Sequence, residues 1–146
     1  GGNSLGDAAM ISPVTIDASV FVSAFTPSEE AHQASNAFMR EVRESGVPII
    51  VPTLLIPEIA AAIGRGQGKP DLGYSFAIEV SQFPNVTLVN LDESLAKTAA
   101  EIAATYRLRG SDAVYAAVAK RFATELVTLD REQLERVKKV VQVRKP

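Results

Sequence analysis

Four carboxylates, Asp17, Glu58, Asp112 and Asp130, stand where the chain changes character. Asp17 closes the apolar run Val14-Thr15-Ile16 and is followed by Ala18 and Ser19. Glu58 comes just after Pro57 in the first turns of an apolar stretch. Asp112 follows Arg109-Gly110-Ser111 and opens an Ala-rich segment, and Asp130 ends Leu126-Val127-Thr128-Leu129. Carboxylates gathered within a few ångströms cannot all stay ionised unaided, and a bound divalent cation resolves the conflict. The chain has no cysteine and one histidine, His32. That excludes thiolate and His-rich zinc sites and disfavours a Ser-His-Asp triad. Oxygen-only ligands favour hard ions such as Mg²⁺ or Mn²⁺. Magnesium tends to complete its shell with substrate phosphate, so the expected chemistry is metal-assisted phosphodiester hydrolysis.

For these acids to meet, the elements carrying them must share an edge. Apolar runs predict strands over 14–16, 47–51, 86–91, 126–129 and 140–143. Helical periodicity predicts helices over 19–25, 31–45, 54–63, 72–82, from Asp92 or Ser94 to Tyr106, 112–123 and 131–137. Ser28-Glu29-Glu30 offers an N-cap with acids for the second helix, whose apolar face reads Ala34, Ala37, Phe38 and Val42. Gly46 closes that helix, and Ser111 reads as the cap of the Ala-rich one. Strands alternating with helices imply an α/β domain with a mostly parallel sheet and right-handed crossovers. In such a sheet the C-terminal strand tips and the helix N-termini lie on one edge, where ligands bind. Asp17 and Asp130 sit at strand ends, Glu58 and Asp112 at helix starts.

The 146 residues suit a single domain with a core of its own, and 47% of them are hydrophobic. Residues 1–9 read as an expression-tag remnant and Met10 as a native start, leaving one domain over 10–146. A net charge of −2 excludes a strongly basic nucleic-acid binder, so a polyanion would be held by a local basic patch or through metal. Absence of cysteine fits a reducing cytosol, and a cytoplasmic location is expected. No signal peptide is read, and no membrane span is expected. The longest apolar run, over 47–56, is broken by Pro48 and Pro52 and is too short to cross a bilayer. Gly64-Arg65-Gly66-Gln67-Gly68-Lys69-Pro70 is not a phosphate loop: Ile63 and Pro70 stand where that motif needs Gly and a hydroxyl.

Each acid has a plainer reading: a strand-end turn for Asp17, a dipole-favoured helix acid for Glu58, support of a Ser111 cap for Asp112, an Asx turn for Asp130. The joint pattern is stronger than its members. From 14 to 143 the chain resembles the PIN-domain nucleases. The motifs carrying the resemblance are Thr15-Ile16-Asp17-Ala18-Ser19, Ile56-Pro57-Glu58-Ile59, Arg109-Gly110-Ser111-Asp112-Ala113-Val114-Tyr115-Ala116-Ala117 and Leu126-Val127-Thr128-Leu129-Asp130. The resemblance implies a PIN-like three-layer α/β/α sandwich that cleaves single-stranded RNA with Mg²⁺ or Mn²⁺. It makes Asp17, Glu58, Asp112 and Asp130 the catalytic metal ligands, with Ser19 and Thr128 as hydroxyls that hold the ligands or position water. The compact size is similar to VapC-type toxins of toxin–antitoxin pairs, which implies a cognate antitoxin and a homodimer. PIN domains of this size also act in RNA processing and decay without an antitoxin.

Arg107 and Arg109 read as phosphate contacts or as a solvated turn, and His32 as a surface or cap residue. The six phenylalanines read as core rather than as a base-stacking platform. An aspartyl-nucleophile phosphatase would place a second Asp two residues after the first, where Ser19 stands. A catalytically silent interaction module would be expected to have lost acids, and none is lost.

Overall fold

The computed structural model describes residues 12–146, so the expectations for residues 1–9 and Met10 lie outside the described residues. Five short segments, the first three of them mostly β-branched, pair in parallel. They are β1 (Val14–Ile16), β2 (Ile49–Pro52), β3 (Val86–Val89), β4 (Glu125–Val127) and β5 (Val143–Arg144). Their order is β3-β2-β1-β4-β5. The chain therefore walks outward from β1 to β3 and then returns to lay β4 on the other side of β1. This reversal opens a crevice beyond the carboxyl ends of β1 and β4, the usual ligand position in such sheets. Ile16 is in register with Val127, so the residues that follow, Asp17 and Thr128, face each other at the crevice. The Asp17 backbone N–H donates to the Val127 carbonyl at 2.9 Å.

Seven α-helices surround the sheet among the described residues: α1 (Ala18–Phe25), α2 (His32–Ser45), α3 (Leu55–Gly64), α4 (Pro70–Ser81), α5 (Glu93–Tyr106), α6 (Gly110–Phe122) and α7 (Arg131–Arg136). Helix α6 packs on β1, β2, β4 and α5; α1 packs on α2 and α3, α3 on α4, and α4 on β3. The result is the three-layer α/β/α sandwich. Helix α6 is buried without a break from Asp112 to Ala119, and its alanines let it lie close to the sheet. Ile16, Ile49, Val51 and Leu126 in the strands are fully buried. Each such side chain contributes roughly 1.5–3 kcal/mol of transfer free energy. Helices α3 and α4 approach so closely that a Cβ at Gly73 would lie 2.8 Å from the Ala60 carbonyl oxygen and the Gly64 nitrogen.

Helix α2 begins at His32, with Ala31 as an N-cap that makes no side-chain cap bond, and has no acid in its first turn. Ser28-Glu29-Glu30 is thus turn, not cap. The buried face of α2 is Ser35, Met39 and Val42, whereas Ala34 and Ala37 are exposed. Alanine carries too little apolar area to set which face is buried, and Met39 sets it instead. Gly46 ends α2 in the left-handed region, φ 69°, as its type predicts. Helix α6 starts at Gly110 after Arg109, so Ser111 lies inside the first turn and is not the cap. The last strand is confined to Val143–Arg144, because a 3-10 turn over Val137–Lys139 takes up the preceding chain. Of the phenylalanines, Phe21 is fully buried, Phe25 stacks on Phe76 with centroids 4.3 Å apart, and Phe122 is exposed. His32 Nδ1 bonds the Ser23 carbonyl at 2.9 Å, tying the start of α2 to α1.

Candidate active site

Asp17, Glu58, Asp112 and Asp130 line one open cleft of about 440 Å³, together with Ser19, Glu29, Arg109 and Ser111. Sequence patterning placed the four acids on one edge, and the chain brings them there. Glu29, read as a helix-start acid, joins them because the turn between α1 and α2 folds over the crevice. Arg107 does not line this cleft. It ends α5 in the left-handed region, φ 55°, and its carbonyl accepts from Arg136 Nη1 at 2.6 Å. A larger groove of about 800 Å³, elsewhere on the molecule, carries Arg40, Arg43 and the Phe25–Phe76 stack, with Glu44 as its single acid.

Asp17 is both the end of β1 and the N-cap of α1, accepting from the Ser19 amide. Its Oδ2 is crowded: Ser19 Oγ donates at 2.6 Å, the Ser19 N–H lies at 3.3 Å, and Thr128 Oγ1 at 3.2 Å. None of these bonds engages Oδ1. Ser19 Oγ accepts in turn from the Leu129 N–H at 3.1 Å, which fixes its lone proton on Asp17. Thr128 Oγ1 also lies 2.5 Å from Gln133 Oε1, and its one proton can serve only one acceptor at a time. Gln133, fully buried, was invisible to sequence reasoning. Its Nε2 donates to the Asp112 carbonyl at 3.2 Å and its backbone N–H to Asp130 Oδ1 at 2.8 Å.

The other acids share a pattern. Tyr115 donates to Glu58 Oε1 at 2.6 Å, leaving Oε2 unengaged. Arg109 Nε donates to Asp112 Oδ2 at 2.9 Å, leaving Oδ1 unengaged. Asp130 differs: Oδ1 caps α7 and Oδ2 accepts from Arg109 Nη2 at 3.0 Å, so both oxygens are committed. Its expected turn role and its place in the cleft therefore coexist. The Arg109 side chain is 68% exposed and bridges the acids across the cleft mouth. With this guanidinium between Asp112 and Asp130, the acids surround the cleft without converging. Among the described residues no three acids form a compact cage.

Electrostatics agree with crowding. Burial raises the Asp17 carboxyl above its ordinary pKa, against the hydrogen bonds from Ser19 and Thr128. Burial likewise raises Glu58, with the Tyr115 bond opposing and the Asp17 and Asp112 charges adding. Asp112 is raised by burial, opposed by Arg109, with Asp130 and Asp17 adding. Three carboxyls held above their ordinary range, each with one oxygen anchored and one unengaged, are the donor type a hard divalent cation takes, and such an ion would relieve their repulsion. No other donor type competes, since the cleft contains neither His nor Cys.

The sheet is all-parallel, and the acids lie at its topological switch. A model of the PIN domain matches residues 14–140. The chain belongs to the PIN domain family. Comparison with curated proteins finds no match. Solved structures share the fold at low identity. A chain of the VapBC2 complex of Rickettsia felis bound to a promoter DNA fragment aligns with a TM-score of 0.68 and 10% identity, over 92% of this chain and 98% of that one. A chain of the FitAcB structure of Neisseria gonorrhoeae gives 0.65 and 20%, over 89% and 95%. VapC20 of Mycobacterium tuberculosis, a toxin that cleaves the sarcin-ricin loop, gives 0.68 and 15%, over 81% and 90%. Among the described residues no helix is long and apolar enough to cross a membrane.

Proposed function

We propose that this chain is a divalent-metal-dependent endoribonuclease, the toxin of a VapBC-type toxin–antitoxin pair, and that it works in the cytoplasm as a homodimer blocked by its antitoxin. The observation that carries the nuclease reading is the shared geometry of Asp17, Glu58 and Asp112, each with one oxygen held and one open to a single cleft. The toxin assignment draws support from the PIN family membership and the shared fold of the toxin–antitoxin structures. Asp17, Glu58 and Asp112 would hold Mg²⁺ or Mn²⁺, with Asp130 contributing more weakly because both its oxygens are in use. When bound, such an ion would supply Lewis-acid activation of water and would neutralise charge on the phosphate. Ser19 and Thr128 keep Asp17 Oδ2 fixed, so that Oδ1 alone is presented. Arg109, largely exposed at the mouth, supplies a guanidinium for a substrate phosphate.

The test is cleavage of a pool of structured RNAs by partner-free protein in Mg²⁺, Mn²⁺ or EDTA, with Asp112→Asn alongside. Metal-dependent cuts that vanish in EDTA and in the variant are expected. Cleavage that persists in EDTA contradicts the assignment.

A further inference from the structure

We propose that Tyr115 is a positioning residue: its hydroxyl ties Glu58 to α6, the helix that carries Asp112, setting the direction of the open Glu58 oxygen toward a bound divalent ion. This inference rests on the metal-dependent reading of the cleft. Tyr115 is the largest fully buried side chain among the described residues and lies on α6, one turn beyond Asp112. A phenol buried without partners would be costly, yet this one donates at 2.6 Å to Oε1 of Glu58, which lines the cleft. One hydroxyl thus ties the first turn of α3, which carries Glu58, to the body of α6, which carries Asp112.

The need for such a lock follows from the side chains. Asp17 and Asp112 are short, buried and fixed by neighbouring backbone or by Arg109. Glu58 is longer by one rotatable bond and only half-buried, and among the described residues Tyr115 is the one hydrogen-bond partner of its side chain. Without the phenol, Glu58 would sample rotamers that turn its carboxylate away. Outer partners of this kind typically change metal affinity by about 10–100-fold.

The experiment is a double-mutant cycle on Mn²⁺ affinity, measured calorimetrically on RNA-free full chain: wild type, Tyr115→Phe, Glu58→Gln and the double variant. Tyr115→Phe keeps the ring and its packing, and is expected to weaken Mn²⁺ by at least about 10-fold. In the Glu58→Gln background the same change is expected to have almost no effect, because the phenol acts through Glu58. Equal losses in both backgrounds, or no loss in either, overturn the positioning role. Should Tyr115→Phe fail to fold, fluorotyrosine-labelled wild type and Glu58→Gln answer the same question. The buried Tyr115 resonance is expected to shift saturably with Mg²⁺ only when Glu58 is present, and a resonance blind to Mg²⁺ in wild type contradicts the proposal. If wild type binds no Mn²⁺ at all, the metal-dependent reading itself falls and this inference with it; if wild type binds and Tyr115→Phe binds equally well, only this inference falls.

Discussion

Asp17→Asn should make the metal-free protein more stable, not less. Asp17 is 7% exposed, and Arg109, which lines the same cleft, engages Asp112 and Asp130 instead. Its charge is therefore buried with hydrogen bonds but without a counter-ion. Asparagine can place its amide oxygen where Oδ2 now accepts from Ser19 and Thr128, and it caps a helix as well as aspartate does. The substitution thus keeps the local bonds and removes the charge. The gain at neutral pH is on the order of 1–3 kcal/mol, the cost of an imperfectly compensated buried polar group. For a domain of this size that is roughly 3–10 °C in melting temperature. The sign with pH follows from linkage. Because the folded Asp17 pKa is raised above the ordinary 3.8, its stabilising protonation is complete below that value and is lost as pH rises through the folded pKa. The advantage of the variant should therefore be largest near pH 7.5 in EDTA and should shrink toward pH 4. Saturating Mn²⁺ should reverse the order, since an ion at 100 times its dissociation constant stabilises wild type by about 2.7 kcal/mol. Thermal melts across pH, with EDTA or Mn²⁺, read all of this. A variant that melts at or below wild type at pH 7.5 in EDTA, or whose advantage does not change with pH, refutes the reasoning.

Three further outcomes follow from the same geometry. Arg109→Gln should cost at most about 1 kcal/mol of metal-free stability, because the guanidinium is largely solvated. It should also strengthen Mn²⁺ binding by removing a competing cation, and calorimetry showing weaker binding would contradict that competition. Gln133→Leu should lower stability by roughly 1–3 kcal/mol in urea melts, because it removes two buried hydrogen bonds, from Thr128 Oγ1 and to the Asp112 carbonyl, while Asp17 still accepts from Thr128; an unchanged midpoint would show the network to be dispensable. Asp130→Asn should reduce RNA cleavage less than Asp17→Asn, because asparagine still caps α7 and both Asp130 oxygens are already engaged; equal loss would make Asp130 a full ligand.

The strand tips were legible because alternation of apolar strands with helices fixes which ends of the elements share an edge. Asp17 follows directly from that rule, Glu58 and Asp112 follow from their places at helix starts, and Asp130, expected at a strand end, instead lies beyond β4 as the N-cap of α7. The start of α2 was not legible. Ser28-Glu29-Glu30 has the composition of a cap, but the chain turns there to fold over the crevice, which is a tertiary choice. Tyr115 and Gln133 were equally hidden. Tyr115 meets a residue 57 positions away, and Gln133 reaches one 21 positions back, so no local pattern marks either. The double duty of Arg109 on Asp112 and Asp130 likewise depends on α6 and α7 meeting at the cleft.

The central claim is that the open oxygens of Asp17, Glu58 and Asp112 receive one divalent ion. Its most direct test is anomalous diffraction from crystals soaked in Mn²⁺. A peak within coordination distance of Asp17 Oδ1, Glu58 Oε2 and Asp112 Oδ1, absent in Asp17→Asn, is the predicted result. A peak elsewhere, or none in crystals of protein that cleaves RNA, would contradict it.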